Sequence, residues 1–499
     1  MLRIIRITLA AVMMIGITWL FVDFTGTAHH LVGGFAKLQL VEALLAGSFI
    51  VVAFLTILTL LCGRIYCSII CPLGIMMDLF GWLGKKAKKN RYTFSKEMKW
   101  LRYPLLVVFL VAHMAGLAVV VQLLAPYSTF GLIATNLLQP VYQAGNNVLA
   151  YFAEQADSYA FYHSEVWLRS VASLVIAIVM LMVIAVLAWR NGRTWCNTIC
   201  PAGTLLSLLS RFSFLKINFD TEKCRNCSLC SKNCKAACID YKTHTVDASR
   251  CVVCGDCIKS CKFGALKYDY AHLHTKRTGQ TGETSGNSPE NEGRRAFLLS
   301  SALLATAAMA QKKDKIMDGG LAEIEDKVAP ERQTKLTPPG SLSAQNMAQK
   351  CTGCQLCISE CPNQVLRPSD DWLHLMQPVM SYERGYCRPE CNRCSEVCPA
   401  GAIRSLKHED KASTQIGHAV WIKKNCIPLT DGVECGNCAR HCPVRAIEMV
   451  PSDPDDEESP YVPAVNEARC IGCGACEYLC PARPFSAIYV EGHEVHKEI

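Results

Sequence analysis

The chain has 499 residues, 51% of them apolar and 19% charged, with a formal net charge of +8 and thirty cysteines. So apolar a composition excludes a disordered chain, and its length, with cysteines bunched three to a loop, excludes a small secreted disulfide scaffold. The positive charge gathers in short loops beside apolar stretches, so it reports membrane orientation and gives no sign of a nucleic-acid partner.

Apolar stretches near the membrane-spanning length predict helices over 4–24, 38–61, 101–124 and 171–189. The first is long and lacks a following small-residue cleavage site, so it reads as an uncleaved anchor rather than a signal peptide. Arg3 and Arg6 precede it. Arg64, Lys85, Lys86, Lys88, Lys89, Arg91, Lys96 and Lys99 lie between the second and third, and Arg190 and Arg193 follow the fourth. Those sides are expected to be cytoplasmic. Segment 126–167 has no lysine or arginine and carries Glu154, Asp157 and Glu165, as an exported loop should.

The bundle, 1–217, carries two CxxxCP motifs: Cys67 and Cys71 before Pro72, and Cys196 and Cys200 before Pro201. Each follows a glycine-arginine step, Gly63-Arg64 and Gly192-Arg193. This duplication predicts a pseudo-symmetric bundle in which four thiols approach one another, to hold a metal, to cycle as a disulfide, or merely to pack. Three histidines, His29, His30 and His113, are functional candidates, because an ionisable residue at membrane depth is a functional candidate by default. Cys62 and Cys238 read as structural.

A cysteine-rich unit is expected over 218–271, followed by a Gly/Ser/Thr/Asn-rich flexible linker over 272–293. Arg294-Arg295-Ala296-Phe297-Leu298 then precedes an apolar run, so 294–310 reads as an internal twin-arginine export signal or a fifth anchor. Ala308-Met309-Ala310 suits a cleavage site or the end of an anchor equally. A polar connector over 311–343 leads to a second cysteine-rich unit over 344–499. The expected fold class is therefore a membrane α-helical bundle of four spans plus a possible fifth, followed by two cysteine-rich α+β units.

Twenty-four cysteines fall into six groups of four. They are Cys224, Cys227, Cys230 and Cys234; Cys251, Cys254, Cys257 and Cys261; Cys351, Cys354, Cys357 and Cys361; Cys387, Cys391, Cys394 and Cys398; Cys426, Cys435, Cys438 and Cys442; and Cys470, Cys473, Cys476 and Cys480. Three cysteines on a tight loop can wrap three irons of a 4Fe-4S cubane, while in two-cluster ferredoxins the fourth ligates the neighbouring cluster. Zinc would leave the third cysteine of each loop without a role. In the first unit this predicts Cys224, Cys227, Cys230 and Cys261 on one cluster, and Cys251, Cys254, Cys257 and Cys234 on the other. Proline follows four of the groups, at Pro362, Pro399, Pro443 and Pro481, whereas Lys235 and Lys262 follow the first two. Ala402-Ile403, Ala446-Ile447 and Ala487-Ile488 are expected to pack over the clusters.

With its CxxxCP motifs and following two-cluster unit, 1–271 resembles the NapH family of membrane ferredoxins, whose relatives include the membrane half of NosR and the FixG-type proteins. The remainder, with RRxFL and four cysteine groups, is similar to exported NapG-type ferredoxins. Lys235, Lys262, Cys238 and Cys62 depart from the pattern. The resemblance implies α+β ferredoxin domains, one with two clusters and one with four, six 4Fe-4S clusters in all, and electron exchange with quinol in the bacterial inner membrane, for which His29, His30 and His113 are the candidate proton acceptors, two clusters being cytoplasmic and four exported. It also implies an outer-inner pairing in the second unit: Cys351, Cys354, Cys357 with Cys480; Cys470, Cys473, Cys476 with Cys361; Cys387, Cys391, Cys394 with Cys442; and Cys426, Cys435, Cys438 with Cys398. The sequential alternative pairs neighbours. No flavin, nucleotide or nucleophile motif is present, so the chain reads as an electron-transfer subunit, with substrate reduction left to a partner reductase or cytochrome. The competing function is an assembly or maturation factor for a respiratory metalloenzyme.

Overall fold

The computed structural model describes residues 2–87, 92–270 and 325–499. The basic residues Lys88, Lys89 and Arg91, the linker 272–293, the arginine pair with its apolar run, and the first part of the connector lie outside them.

Two helices, Leu2–Val22 and Val171–Asn191, are long and apolar enough to cross a membrane, with mean hydropathy 2.1 and 3.1. At 21 residues each they span about 30 Å. The other two expected spans are broken. The second divides into Leu40–Leu45 and Phe49–Cys62 around Gly47 (φ +66°), and the third into Lys99–Met114 and Ala118–Leu124 around Gly116 (φ +71°). A left-handed residue ends a helix, and only glycine takes that conformation without strain. The expected exported loop is largely helical, formed by Pro126–Ile133, a π turn at Ala134–Leu138, and Gln139–Gln155. It meets the preceding Ala118–Leu124 helix at 85°, where Pro126 starts the new helix without needing a backbone donor.

The two long helices run antiparallel between the two cysteine-rich units. At one end, Arg3 pairs with Asp256 at 2.8 Å and the Arg193 N–H donates to the Lys235 carbonyl at 2.8 Å. At the other end, the Ser170 hydroxyl donates to Asp370 at 2.5 Å and Gln355 Nε2 donates to Ser173 at 2.9 Å. Each unit is therefore anchored to one end of a bundle about 30 Å long.

Small two-stranded sheets close the units. In the first, Leu215–Phe219 pairs antiparallel with Leu266–Tyr270, bringing its two ends together. In the second, Thr414–Trp421 pairs with Ile488–Glu498, and Ile447–Asp453 with Asp456–Val465. Ala402, Ile403, Ala446, Ile447, Ala487 and Ile488 are all buried, although the first pair sits in a bend rather than a strand. The second unit also begins earlier than 344. Arg332 forks onto Glu477 at 2.5 and 2.7 Å, and Leu336 is fully buried, so residues 325–343 pack as part of it.

Candidate iron-sulfur and thiol sites

None of the thirty cysteines is in a disulfide. The loops share a backbone device. The residue after the second cysteine has positive φ at Ser228, Gly255, Gln355, Gly436 and Gly474, and the residue before it does so at Asn226, Val253, Gly353 and Gly472. Paired left-handed residues turn backbone N–H groups inward, forming a concavity suited to an anionic group. A β-branched valine in this region is strained, so the loop is held open against its own preference. Backbone donors reach sulfur directly, from Ala265 to Cys261 at 3.3 Å, Ala446 to Cys442 at 3.2 Å and Ala487 to Cys480 at 3.3 Å. The CxxxC loop at Cys387 has no such residues. There the Lys411 ammonium, 5% exposed, donates to the carbonyls of Arg388 and Cys391 instead.

Four thiols ring each of three small voids. Cys224, Cys227, Cys230 and Cys261 line one, the grouping expected for the first unit. Cys387, Cys391 and Cys394 line another with Cys361, and Cys426, Cys435 and Cys438 a third with Cys480. In the same way Cys398 acts electrostatically on Cys351, Cys354 and Cys357, Cys442 on Cys470 and Cys473, and Cys234 on Cys254 and Cys257. This corrects the outer-inner arrangement: the fourth thiol of each ring comes from the sequence-adjacent group. Each short helix packs on the next one along, Leu356–Ser359 on Arg393–Val397 and Asn437–Arg440 on Ala475–Leu479, so each unit closes locally. Among the described residues no three Cys, His, Asp or Glu side chains converge on a single ion. Thiols spaced around a void rather than a point suit a cubane.

Burial pushes the Cys254 thiol up to about 12, with Lys235 opposing, and Cys351 and Cys473 up to about 12. Bare thiolates are costly here, so these loops suit a ligand that brings positive charge. The second-unit rings stand in single file. Cys357 neighbours Cys394, the Cys387 N–H donates to the Cys473 carbonyl at 2.9 Å, and Cys476 neighbours Cys438. The first ring in this file touches the bundle, where Ser128 donates to the Thr352 carbonyl at 2.6 Å.

The four bundle thiols, Cys67, Cys71, Cys196 and Cys200, are all buried and neighbour one another. Their setting is reciprocal. Arg64, beside the first motif, donates to Asn197 at 2.8 Å and to the Cys196 carbonyl at 3.1 Å in the second. Arg193, beside the second, donates to the Cys67 carbonyl and to Asp78 at 2.8 Å in the first. Gly74 and Gly203 occupy equivalent places, where a Cβ would collide with the carbonyls of Cys67 and Cys196. The repeat is thus GRxxCxxxCPxG.

Lys235, a departure from the expected proline, has a use. Its ammonium lies 2.8 Å from Asp78 and 3.3 Å from Asp256. Burial alone would lower its pKa, but Asp78 and its neighbours hold it above the ordinary value. Cys238, read as a bystander, has its sulfur 3.5 Å from that of Cys234. The sequence offered no signal for either beyond the departure itself. The quinol candidates are scattered: the rings of His29 and His30 meet edge to face, 6.2 Å apart, near Glu396 of the second unit, while His113 sits in the last turn of Lys99–Met114. Burial and nearby Lys37 hold His29 below its usual pKa.

The two halves of the bundle, 44–91 and 173–220, each match the family model for a 4Fe-4S binding domain, and 433–483 matches a 4Fe-4S dicluster domain. Similar proteins include the methylamine utilization ferredoxin-type protein MauM of Methylobacillus flagellatus, 30% identical over 32% of this chain and 70% of that protein. MauM of Paracoccus denitrificans is 31% identical over 32% and 73%. The ferredoxin-type protein NapG of Escherichia coli is 29% identical over 32% and 75%.

Proposed function

The chain belongs to the ferredoxin-type 4Fe-4S proteins that include MauM, and from that premise we propose that it is a membrane-bound relay exchanging electrons between the quinol pool and a partner reductase or cytochrome. The observation that carries this reading is the unbroken run of neighbouring thiol rings that begins against the bundle. A 4Fe-4S cluster, when bound, takes up and releases one electron at a time. The chain's own part is to hold six such centres, fix their spacing, and tune them through N–H donors to sulfur.

Cys224, Cys227, Cys230 and Cys261, and Cys251, Cys254, Cys257 and Cys234, would ligate the two first-unit clusters. In the second unit the ligand sets would be Cys351, Cys354, Cys357 and Cys398; Cys387, Cys391, Cys394 and Cys361; Cys470, Cys473, Cys476 and Cys442; and Cys426, Cys435, Cys438 and Cys480. The basic loops put the first unit in the cytoplasm, and the arginine pair at 294–295 routes the second outside the inner membrane. Cys67, Cys71, Cys196 and Cys200, at the first-unit end, are placed to join transfer or docking.

The test is Cys354→Ser in the full, cluster-loaded protein. Loss of one cluster's iron and electron paramagnetic resonance signal, together with loss of quinol-dependent reduction of the distal clusters, is expected. Unchanged distal reduction would sink the relay. A requirement only while a partner enzyme is being built would favour the maturation role.

A further inference from the structure

A cavity of about 760 Å³ opens between the N-terminal helix, the Pro72–Lys86 helix and the first cysteine-rich unit. That size suits a small-molecule site, which is typically apolar with a few convergent polar groups. One wall is apolar and includes Ala11, Met14, Ile15, Met76, Leu79 and Trp82. Ile15, Leu79 and Trp82 are 69%, 52% and 56% exposed on the helix surface, so this wall continues into the face turned toward lipid. The other end is polar, formed by Arg6, Asp78, Asn233, Lys235 and Asp256. A molecule with an apolar tail and a small oxygen-bearing head satisfies both.

The polar end adjoins a cysteine ring. Asn233 and Lys235 flank Cys234, and Asp256 precedes Cys257. The inner cations are already paired: Arg6 and Lys235 each lie 2.8 Å from Asp78, and Arg3 lies 2.8 Å from Asp256. Lys85 and Lys259 stand exposed at the rim. The inner end therefore suits a neutral carbonyl better than a phosphate, because a carbonyl needs one N–H donor and no spare charge. Arg6, a residue 7% exposed at this end, has its Nε buried without an acceptor, and that N–H would meet a carbonyl on turning toward the cavity.

We propose that this cavity, rather than the surroundings of His29, His30 or His113, holds the head of a quinol or quinone, with its tail along the Met14 and Leu79 wall. The inference rests on the quinol reading above and gives it a location. In oxidation at this site a quinol becomes a quinone by losing two electrons, one at a time, to the 4Fe-4S centre expected at Cys251, Cys254, Cys257 and Cys234. Its two O–H protons leave to water at the open mouth.

The test uses the full cluster-loaded protein in phosphatidylcholine vesicles, with a photoreactive azidoquinone as binding probe and decylubiquinol as reductant. Ala11→Trp fills the cavity from an exposed helix position, and Val12→Trp adds the same bulk at an exposed position outside the lining. In wild type and Val12→Trp, cross-links should map to 7–15 and 75–82. In Ala11→Trp, cross-linking should disappear and decylubiquinol should reduce the clusters about tenfold more slowly, while dithionite reduces all three proteins equally. Cross-links near His29 or His113, or an Ala11→Trp variant as fast as wild type, would overturn the location. A wild type that dithionite reduces and decylubiquinol does not would overturn the quinol reading itself. Reduction that requires added anionic phospholipid would assign the cavity to a lipid headgroup instead.

Discussion

The two cysteine-rich units are held to the same bundle by different chemistry. The first is tied by charge, with Arg6, Arg193 and Lys235 meeting on the one carboxylate of Asp78. The second is tied mainly by neutral side chains, Ser128, Asn136, Ser173 and Gln355, with Ser170 on the Asp370 carboxylate, an exposed Arg384–Glu165 pair, and Arg367 and Arg384 stacked over Trp167 at 4.8 and 4.7 Å. Mainly neutral seams cost little when one bond is lost, whereas a buried ion cluster fails together because its partners converge on one group. The first unit is thus a fixture of the bundle, and the second is a separate body laid against it.

The largest expected effect comes from breaking the charged seam. Asp78→Ala leaves Arg6 and Arg193 without a counter-charge and Lys235 with Asp256 alone, and should cost about 3–5 kcal/mol. Thermal unfolding followed by limited proteolysis should show release of the first unit while the second stays protected; equal loss of both would erase the distinction.

Acid should act on the second unit instead. Burial, aided by His493, holds His496 down at about 4, against 6.5 for the free side chain. A base with a depressed folded pKa contributes stability that is present above 6.5 and lost as pH falls toward 4. The expected loss is about 1–2 kcal/mol after allowing for solvent, seen as a falling unfolding midpoint that His496→Gln flattens. An acid limb unaltered in that variant would remove His496 from the account.

The smallest effect belongs to the neutral seam. Ser128→Ala deletes one hydrogen bond to the Thr352 carbonyl and should cost about 1 kcal/mol, leaving the first unit's protease resistance as it was. Release of the second unit by this change alone would show its seam to be as brittle as the charged one.

The cysteine loops were legible in the sequence because three thiols at fixed spacing leave few other uses, and the doubled CxxxCP motif was legible because it repeats. The partner of each ring in the second unit was not. Spacing within a loop says nothing about which distant thiol closes it, and local helix packing decided for the neighbour. The breaks at Gly47 and Gly116 were hidden because a lone glycine in an apolar run is also tolerated inside a helix. Lys235 was visible as an exception, but its reason lies 157 residues away at Asp78.

The exchanged arginines have a consequence for the two halves of the bundle. Once Arg64 serves the second repeat and Arg193 the first, neither half completes its own cysteine turn. A half expressed alone would carry a buried guanidinium with no carbonyl to meet and a carbonyl with no guanidinium. The two copies are therefore interdependent: each supplies the guanidinium that closes the other's turn, and two separated fragments would have to associate before either cysteine turn was complete.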